Sequence, residues 1–250
     1  MNKLMEVDFI EQTSSYLPNI QNEKVKDALV FATKCHLGQK RKTGEPYIIH
    51  PIQSAKLLAD MNMDWQTIAA ALLHDVMEDC GVSFVELENK FGVEVATLVD
   101  GVTKLPSVNL NQDKDNNDSS SVIARAATVR KLLLATSEDA RVMLIKLSDR
   151  LHNMQTLHAL NEDDQSRIAL ETMEIFAPLA HRLGMWEFKW KLEDESFKYL
   201  LPNSYKEIAK LVSRKRKYRE DYAEKATSLL DEALAKSSIN CVVEGRVKNL

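Results

Sequence analysis

The chain has 250 residues, of which 44% are hydrophobic and 28% are charged, a composition typical of soluble globular proteins. Its seven Gly and six Pro are few for this length, which argues against a turn-rich β architecture. The formal net charge of −4 argues against tight nonspecific binding to duplex nucleic acid, although a local basic cluster or a metal could still bind phosphate.

The cysteines and the apolar runs indicate a cellular location. Cys35, Cys80 and Cys241 lie far apart and form no CxxC pattern, so we interpret them as reduced thiols. No uncharged apolar run approaches the ~18 residues that span a bilayer. Acids interrupt the apolar residues at the N-terminus, so no secretory signal is predicted. We therefore predict a cytoplasmic protein without a membrane partner.

The predicted elements are almost all helices. Apolar residues recur at spacings of three and four along most of the chain, which is typical of amphipathic helices. In chain order, helices are predicted at about 22–37, 50–61, 65–77, 84–91, 93–105, 122–135, 138–160, 164–182 and 203–236. The fold is therefore expected to be α-helical.

Local patterns predict where several helices begin. Asp64 is a good N-cap for the helix that follows it, and Ser83 with Glu86 has the spacing of a capping box. Pro51 is tolerated at a first helical position because its missing N–H costs nothing there. Residues 106–121 are rich in Asn, Asp and Ser without periodicity, so they are predicted to form a mobile loop.

The C-terminal part of the chain differs in character. Beyond residue 185 it is aromatic and mixed in charge, and INCVVEGRVKNL at 239–250 is the first convincing predicted strand. No partner strand follows, and a strand without neighbours is marginal. We expect the last ten residues to be poorly ordered or to pair with another copy of the chain.

The stretch ALLHDVMEDC carries the most informative chemistry. It places His74, Asp75, Glu78 and Asp79 at the end of an apolar helix. Acids in a last helical turn oppose the helix dipole, and buried ionisable groups are costly unless something binds them. Imidazole and carboxylate together suit Mn, Fe or Zn. The alternative is a solvated helix end.

Two other segments could complete a metal site. The stretch LIKLSDRLHNM at 144–154 places Asp149 and Asn153 on one helical face, and alone it is typical of a salt-bridged surface helix. His50 alone is typical of a helix start. Together with His74, Asp75 and Asp149, His50 forms a set from three helices, which is a usual way to build a metal site in a helical bundle.

The chain resembles the RelA/SpoT (Rel) family of alarmone synthetase/hydrolases, specifically their N-terminal hydrolase domain. The resemblance covers roughly residues 20–200. The matching blocks are HLGQKRKTGEPYIIHP (36–51), LLHDVMEDC (72–80), LVDGVTKL (98–105) and KLSDRLHNMQTL (146–157), followed by a bridge-like stretch at 171–200.

This resemblance implies an all-α, helical-bundle HD fold with one Mn²⁺. The implied activity removes the 3′-pyrophosphate from (p)ppGpp, giving GDP or GTP and pyrophosphate, in the stringent response. The implied metal ligands are His50, His74, Asp75 and Asp149. The Mn²⁺ would lower the pKa of a bound water and polarise the phosphate.

The resemblance also implies roles for residues around the metal. Glu78 or Asp79 would act as general base. Asn153 and Thr156 match positions on the ribose side of the nucleotide. Arg41 and Lys42 match basic residues beside the guanine and phosphate. With Lys40 they would offset the charge of the pyrophosphate group. The alternative is that Lys40, Arg41 and Lys42 form a solvated basic loop.

The resemblance divides the chain in two. Residues 1–195 match the hydrolase domain, and residues 196–250 match linker helices and the truncated start of a synthetase domain, a short α/β beginning. We therefore expect no synthetase activity from these residues, and ribosome contact only through C-terminal regions beyond them. Direct nucleic-acid binding is not expected, and a homo-oligomer is possible. Gln155 departs from the family's usual Arg, which could weaken substrate binding.

Two other functions compete with this interpretation. One is a different HD phosphohydrolase that acts on dNTPs, nucleoside monophosphates or cyclic dinucleotides. The other is a non-catalytic regulatory module that senses nucleotide through a metal-stabilised scaffold.

Overall fold

The structure is a computed structural model that describes residues 2–105, 119–214, 216–237, 239, 241–243 and 245. These residues form fourteen α-helices and no strand; one isolated antiparallel bridge joins Lys40 to Pro46. The helices are α1 (Asn2–Ser14), α2 (Asn19–Cys35), α3 (Ile49–Ala59), α4 (Trp65–Leu73), α5 (Val76–Cys80), α6 (Phe84–Phe91), α7 (Val93–Thr103), α8 (Ser119–Glu138), α9 (Ala140–Gln155), α10 (Glu162–Glu171), α11 (Ala177–Arg182), α12 (Trp186–Leu200), α13 (Pro202–Arg214) and α14 (Arg216–Lys236).

The predicted all-α class is confirmed, but several predicted helices are divided. The stretch 65–77 breaks at His74 and Asp75 into α4 and α5. A π-helical turn, Thr172–Phe176, separates α10 from α11. Pro178 follows this turn, and its missing N–H and bulky ring disfavour a regular helix across it. A 3₁₀ turn, Leu157–Ala159, follows α9.

Two predicted segments lie wholly or partly outside the described residues. Of the predicted loop 106–121, residues 106–118 are outside them, and residues 119–121 begin α8 instead. In the predicted strand 239–250, residues 239, 241–243 and 245 are described and are not in a strand. No neighbouring strand exists among the described residues to pair with them.

The core is centred on α4, as its apolar sequence predicts. Every residue from Ile68 to Leu73 has no exposed surface. The three alanines in this run are small enough to let α2, α3, α7 and α9 all pack against α4. None of the helices within the described ranges is long and apolar enough to cross a lipid bilayer.

Local contacts fix the starts of two helices and the close packing of two others. The Asp64 carboxylate caps α4 as predicted, accepting a hydrogen bond of 2.9 Å from the Thr67 backbone N–H. The Ser83 hydroxyl likewise accepts from the Glu86 N–H at 3.2 Å. Gly101 lets α7 approach α9 closely, because a Cβ atom there would lie 2.9 Å from a methyl carbon of Val142. These contacts fix where α4 and α6 begin and how closely α7 packs against α9.

Candidate metal centre

The four predicted ligands come from three points of the fold. His50 lies in the first turn of α3, and Asp149 lies in the second half of α9. His74 and Asp75 occupy the break between α4 and α5. Because the chain turns there, two consecutive residues both face the space between α3 and α9.

The structure brings these four side chains together. His50 Nε2 lies 3.2 Å from Asp149 Oδ1 and 3.7 Å from Asp75 Oδ2. His74 Nε2 lies 3.1 Å from Asp75 Oδ2 and 3.9 Å from Asp149 Oδ1. The ligand atoms of His50, His74 and Asp75 all fall within 4.8 Å of one another. Two imidazole nitrogens and two carboxylates therefore surround one small volume.

The donor set fits a divalent cation. His74 Nδ1 is 2.8 Å from the Ala71 carbonyl oxygen, which can only accept, so Nδ1 carries a proton and donates it. His74 Nε2 is then aimed at the carboxylates of Asp75 and Asp149, 3.1 and 3.9 Å away, and the ring is buried. Without a cation, a proton on Nε2 balances these negative charges. A cation coordinated at Nε2 would take the place of that proton.

The charges in the cluster shift one another's pKa values. Burial lowers the pKa of His74, but the carboxylates of Asp75 and Asp149 outweigh burial and raise it to about 9. Burial raises the pKa of Asp75, and the neighbouring His74 more than reverses this, holding it well below its usual range. The pKa of Asp149 is also well below its usual range, because Lys146 and the histidines outweigh burial.

Cation binding to this cluster is expected to strengthen as the pH rises. With a pKa of about 9, His74 is protonated near neutral pH, so a cation must displace that proton. The apparent affinity for Mn²⁺ should rise by roughly tenfold per pH unit until it levels off above about 9. Titrations followed by electron paramagnetic resonance of free Mn²⁺ at several pH values measure this. An affinity that does not change with pH would contradict the assignment.

The same proton has a consequence for the cation-free chain. The folded pKa of His74 lies above its ordinary value of 6.5. Its contribution to the free energy of unfolding is therefore complete below about pH 6.5 and is lost as the pH rises through about 9. Urea unfolding in the presence of a chelator, compared at these two pH values, separates this effect from cation binding.

Three residues that sequence reasoning did not select support the cluster. The Tyr47 hydroxyl donates to Asp75 Oδ2 at 2.9 Å, and Lys146 Nζ donates to Asp149 Oδ2 at 2.9 Å. His152 Nδ1 lies 2.7 Å from His50 Nδ1. The sequence spacing could have indicated two of them, because Lys146 and His152 each lie three residues from Asp149, on the same helical face.

A cavity of about 490 Å³ opens beside the cluster and has a basic wall. All five predicted substrate-binding residues line it: Lys40, Arg41, Lys42, Asn153 and Thr156. Lys146, Asp149 and Arg150 join them, while Leu157, Leu160 and Ile168 give part of the wall an apolar surface. The cavity therefore combines cations, an apolar surface and one residue of the cluster, a combination suited to an anion with an aromatic or sugar portion.

Hydrogen bonds place the basic loop against α9. The Arg41 backbone N–H donates to the Glu45 carbonyl at 2.9 Å, and Gly44, at φ 86°, allows the tight turn between them. Arg41 Nη2 donates to Asn153 Oδ1 at 2.5 Å, and the Asn153 amide donates to Asp149 Oδ1 at 2.5 Å. A chain of hydrogen bonds thus joins the loop to the cluster.

The two predicted catalytic acids lie on α5, next to the cluster in sequence. Glu78 and Asp79 are both exposed, and neither is among the residues that line the cavity. Partial burial and the nearby Asp75 carboxylate raise the pKa of Glu78. A raised pKa makes Glu78 a stronger base than an ordinary carboxylate.

Comparison with known proteins agrees with this geometry. The HD-domain family matches residues 28–186, and the chain belongs to this family. The predicted resemblance to the RelA/SpoT family is also confirmed by curated relatives. A protein of Aquifex aeolicus, named guanosine-3′,5′-bis(diphosphate) 3′-pyrophosphohydrolase, is 46% identical over 227 residues, which are 90% of this chain and 31% of that protein.

Two further relatives show the same pattern. A Synechocystis protein, named probable guanosine-3′,5′-bis(diphosphate) 3′-pyrophosphohydrolase, is 48% identical over 89% of this chain and 28% of its own length. The bifunctional (p)ppGpp synthase/hydrolase SpoT of Escherichia coli K12 is 43% identical over 94% of this chain and 32% of its own length. The chain spans about a third of the length of these relatives.

Proposed function

We propose that the chain hydrolyses the 3′-pyrophosphate of (p)ppGpp, giving GDP or GTP and pyrophosphate, as part of the stringent response. The observation that carries this proposal is the cluster of His50, His74, Asp75 and Asp149 beside a basic cavity. The names of the relatives give the substrate. A cation site next to an anion-binding cavity is what phosphate-ester hydrolysis needs.

We assign Mn²⁺ as the cation, held by His50, His74, Asp75 and Asp149. A bound divalent cation supplies Lewis-acid chemistry, lowering the pKa of water and polarising a phosphoryl oxygen. The reaction breaks the bond between the 3′ oxygen and its phosphorus while a water oxygen bonds to that phosphorus. The nucleoside keeps the 3′ oxygen, which takes up one proton to become a hydroxyl and so balances the proton lost by the attacking water, and pyrophosphate leaves.

The chain's own residues bind the substrate and move its protons. Glu78 or Asp79 accepts a proton from the attacking water, and the raised pKa of Glu78 favours it for this role. The positively charged side chains of Arg41, Lys42 and Lys40 line the cavity and bind the phosphates. Asn153 and Thr156, on the α9 side of the same cavity, contact the ribose.

The remaining assignments follow the sequence. We propose that residues 1–195 form the hydrolase domain, that residues 196–250 belong to linker helices and the start of a synthetase domain, and that the protein is cytoplasmic. Any oligomer, and any ribosome contact made through further C-terminal regions of a longer protein, remain predictions of the same kind. Synthesis of (p)ppGpp is not expected from these 250 residues.

A product-release assay tests the proposed function. The purified chain with Mn²⁺ is offered ppGpp, dGTP and a cyclic dinucleotide in parallel, and the loss of each substrate and the products formed are measured. Pyrophosphate and GDP in equal amounts from ppGpp alone are the expected result. Turnover of only dGTP or the cyclic dinucleotide would instead identify another HD phosphohydrolase. Binding of ppGpp without turnover would identify a nucleotide-sensing module.

A further inference from the structure

His152 occupies a central place in the site, although sequence reasoning assigns it no role. It lies on α9, one turn after Asp149, and only 6% of its surface is exposed. Its Nδ1 atom is 2.7 Å from His50 Nδ1 and 3.4 Å from Arg41 Nη1. A single nitrogen atom thus contacts both a proposed metal ligand and a proposed phosphate-binding residue.

The proton positions around this nitrogen follow from the chemistry of its neighbours. The guanidinium of Arg41 can only donate. His50 Nε2 faces Asp149 Oδ1 at 3.2 Å, in the cluster. When Nε2 binds a cation through its lone pair, the His50 proton must be on Nδ1, which then donates to His152. The Nδ1 atom of His152 is therefore an acceptor, and its own proton is on Nε2. Its one lone pair faces His50 at 2.7 Å, and Arg41 Nη1 is a second, longer donor at 3.4 Å.

Arg41 is connected to the cluster a second time by the next residue of α9. Its Nη2 atom donates to Asn153, which in turn donates to Asp149. Two adjacent residues of α9 therefore each contact Arg41 and a different member of the cluster. His152 contacts His50, and Asn153 contacts Asp149.

We propose that His152 is a positioning residue that couples the cation site to the phosphate-binding loop. Its Nδ1 atom fixes the proton of His50 on Nδ1, leaving Nε2 free to bind the cation, and it orients the Arg41 guanidinium toward the cavity. This inference rests on the proposed function, because it assigns His152 a part in binding the same cation and the same anionic substrate.

Two substitutions distinguish this role from simple packing. His152→Asn retains an acceptor oxygen close to the position of Nδ1, whereas His152→Leu has a similar size and no acceptor. The Leu variant leaves the His50 Nδ1–H buried without a partner. We expect it to bind Mn²⁺ about 10- to 100-fold more weakly, the usual effect of losing a residue that orients a metal ligand. We expect the Asn variant to bind close to wild-type affinity.

The two readouts are Mn²⁺ affinity, from electron paramagnetic resonance of the free ion, and the steady-state constants for ppGpp. In the Leu variant at saturating Mn²⁺, KM should rise by about tenfold, because Arg41 loses one of its two acceptors. The Asn variant should restore both values. His158→Leu, an exposed histidine just beyond the same helix, is the matched control and should change neither.

The outcomes separate this inference from the function on which it rests. A wild-type chain that neither binds Mn²⁺ nor hydrolyses ppGpp overturns the proposed function. An active wild type, together with a Leu variant of unchanged Mn²⁺ affinity and KM, overturns the role of His152 alone. Equal losses in the Asn and Leu variants also overturn it. If the Leu variant does not fold by circular dichroism, His152→Gln replaces it, because its amide lies one methylene too far out.

Discussion

Replacing Asp75 with Asn is expected to abolish cation binding and to lower kcat/KM for ppGpp by at least about 10³-fold. Asp75 Oδ2 is the oxygen closest to His74 Nε2, at 3.1 Å, and it also lies 3.7 Å from His50 Nε2. Asn has the same shape without the charge. Lewis-acid activation is worth several kcal/mol, and each 1.36 kcal/mol is about a factor of ten in rate.

The same variant tests whether cation binding and activity depend on one site. Mn²⁺ affinity and pyrophosphate release are measured on the same preparation, and circular dichroism verifies the fold. Glu88→Gln, an equivalent change on the exposed face of α6, is the control and should match the wild type. Hydrolysis that persists in Asp75→Asn with added Mn²⁺ would refute the proposed centre.

Replacing Arg150 with Met is expected to lower the free energy of unfolding by about 3–5 kcal/mol, the usual cost of removing one partner of a buried ion pair. Arg150 Nη2 lies 2.9 Å from Glu171 Oε1, and the Glu171 side chain is only 2% exposed. The Arg150 guanidinium also lies 4.2 Å above the Phe176 ring. The substitution leaves the Glu171 carboxylate buried without its cation.

Urea unfolding of the single variant and of Arg150→Met with Glu171→Gln measures this cost. In the double variant no buried charge is left without a partner, so it should regain much of the lost stability. Burial already raises the pKa of Glu171, and losing Arg150 raises it further. The deficit of the single variant should therefore shrink as the pH falls through that raised pKa, because Glu171 becomes neutral. A double variant no more stable than the single one contradicts the explanation.

Two residues of the cluster, His74 and Asp75, could be selected from the local sequence, because they are ionisable residues at the end of a wholly apolar helix. His50 and Asp149 have no such local signal, and only the resemblance to the RelA/SpoT family selected them. The helix caps at Asp64 and Ser83 were predictable from the local sequence, since a capping interaction reaches only three residues along the chain.

The supporting contacts were not predictable, because they depend on packing between distant parts of the chain. His50 and His152 are 102 residues apart in sequence, yet their Nδ1 atoms lie 2.7 Å apart. Tyr47 contacts Asp75 only because the loop before α3 folds against the break after α4. That break itself was missed, since the apolar pattern of α4 continues past it through Val76 and Met77.

Helix α9 gives the site a mechanical property. Within its sixteen residues it carries Asp149, His152 and Asn153, which contact the cluster and the basic loop. A helix turns by about 100° for each residue, so residues three and four apart lie on one face. Any rotation of α9 about its axis would therefore move the contacts to the cluster and the contacts to Arg41 together. Because α9 positions both the cluster and the basic loop, neither can be adjusted through this helix without the other.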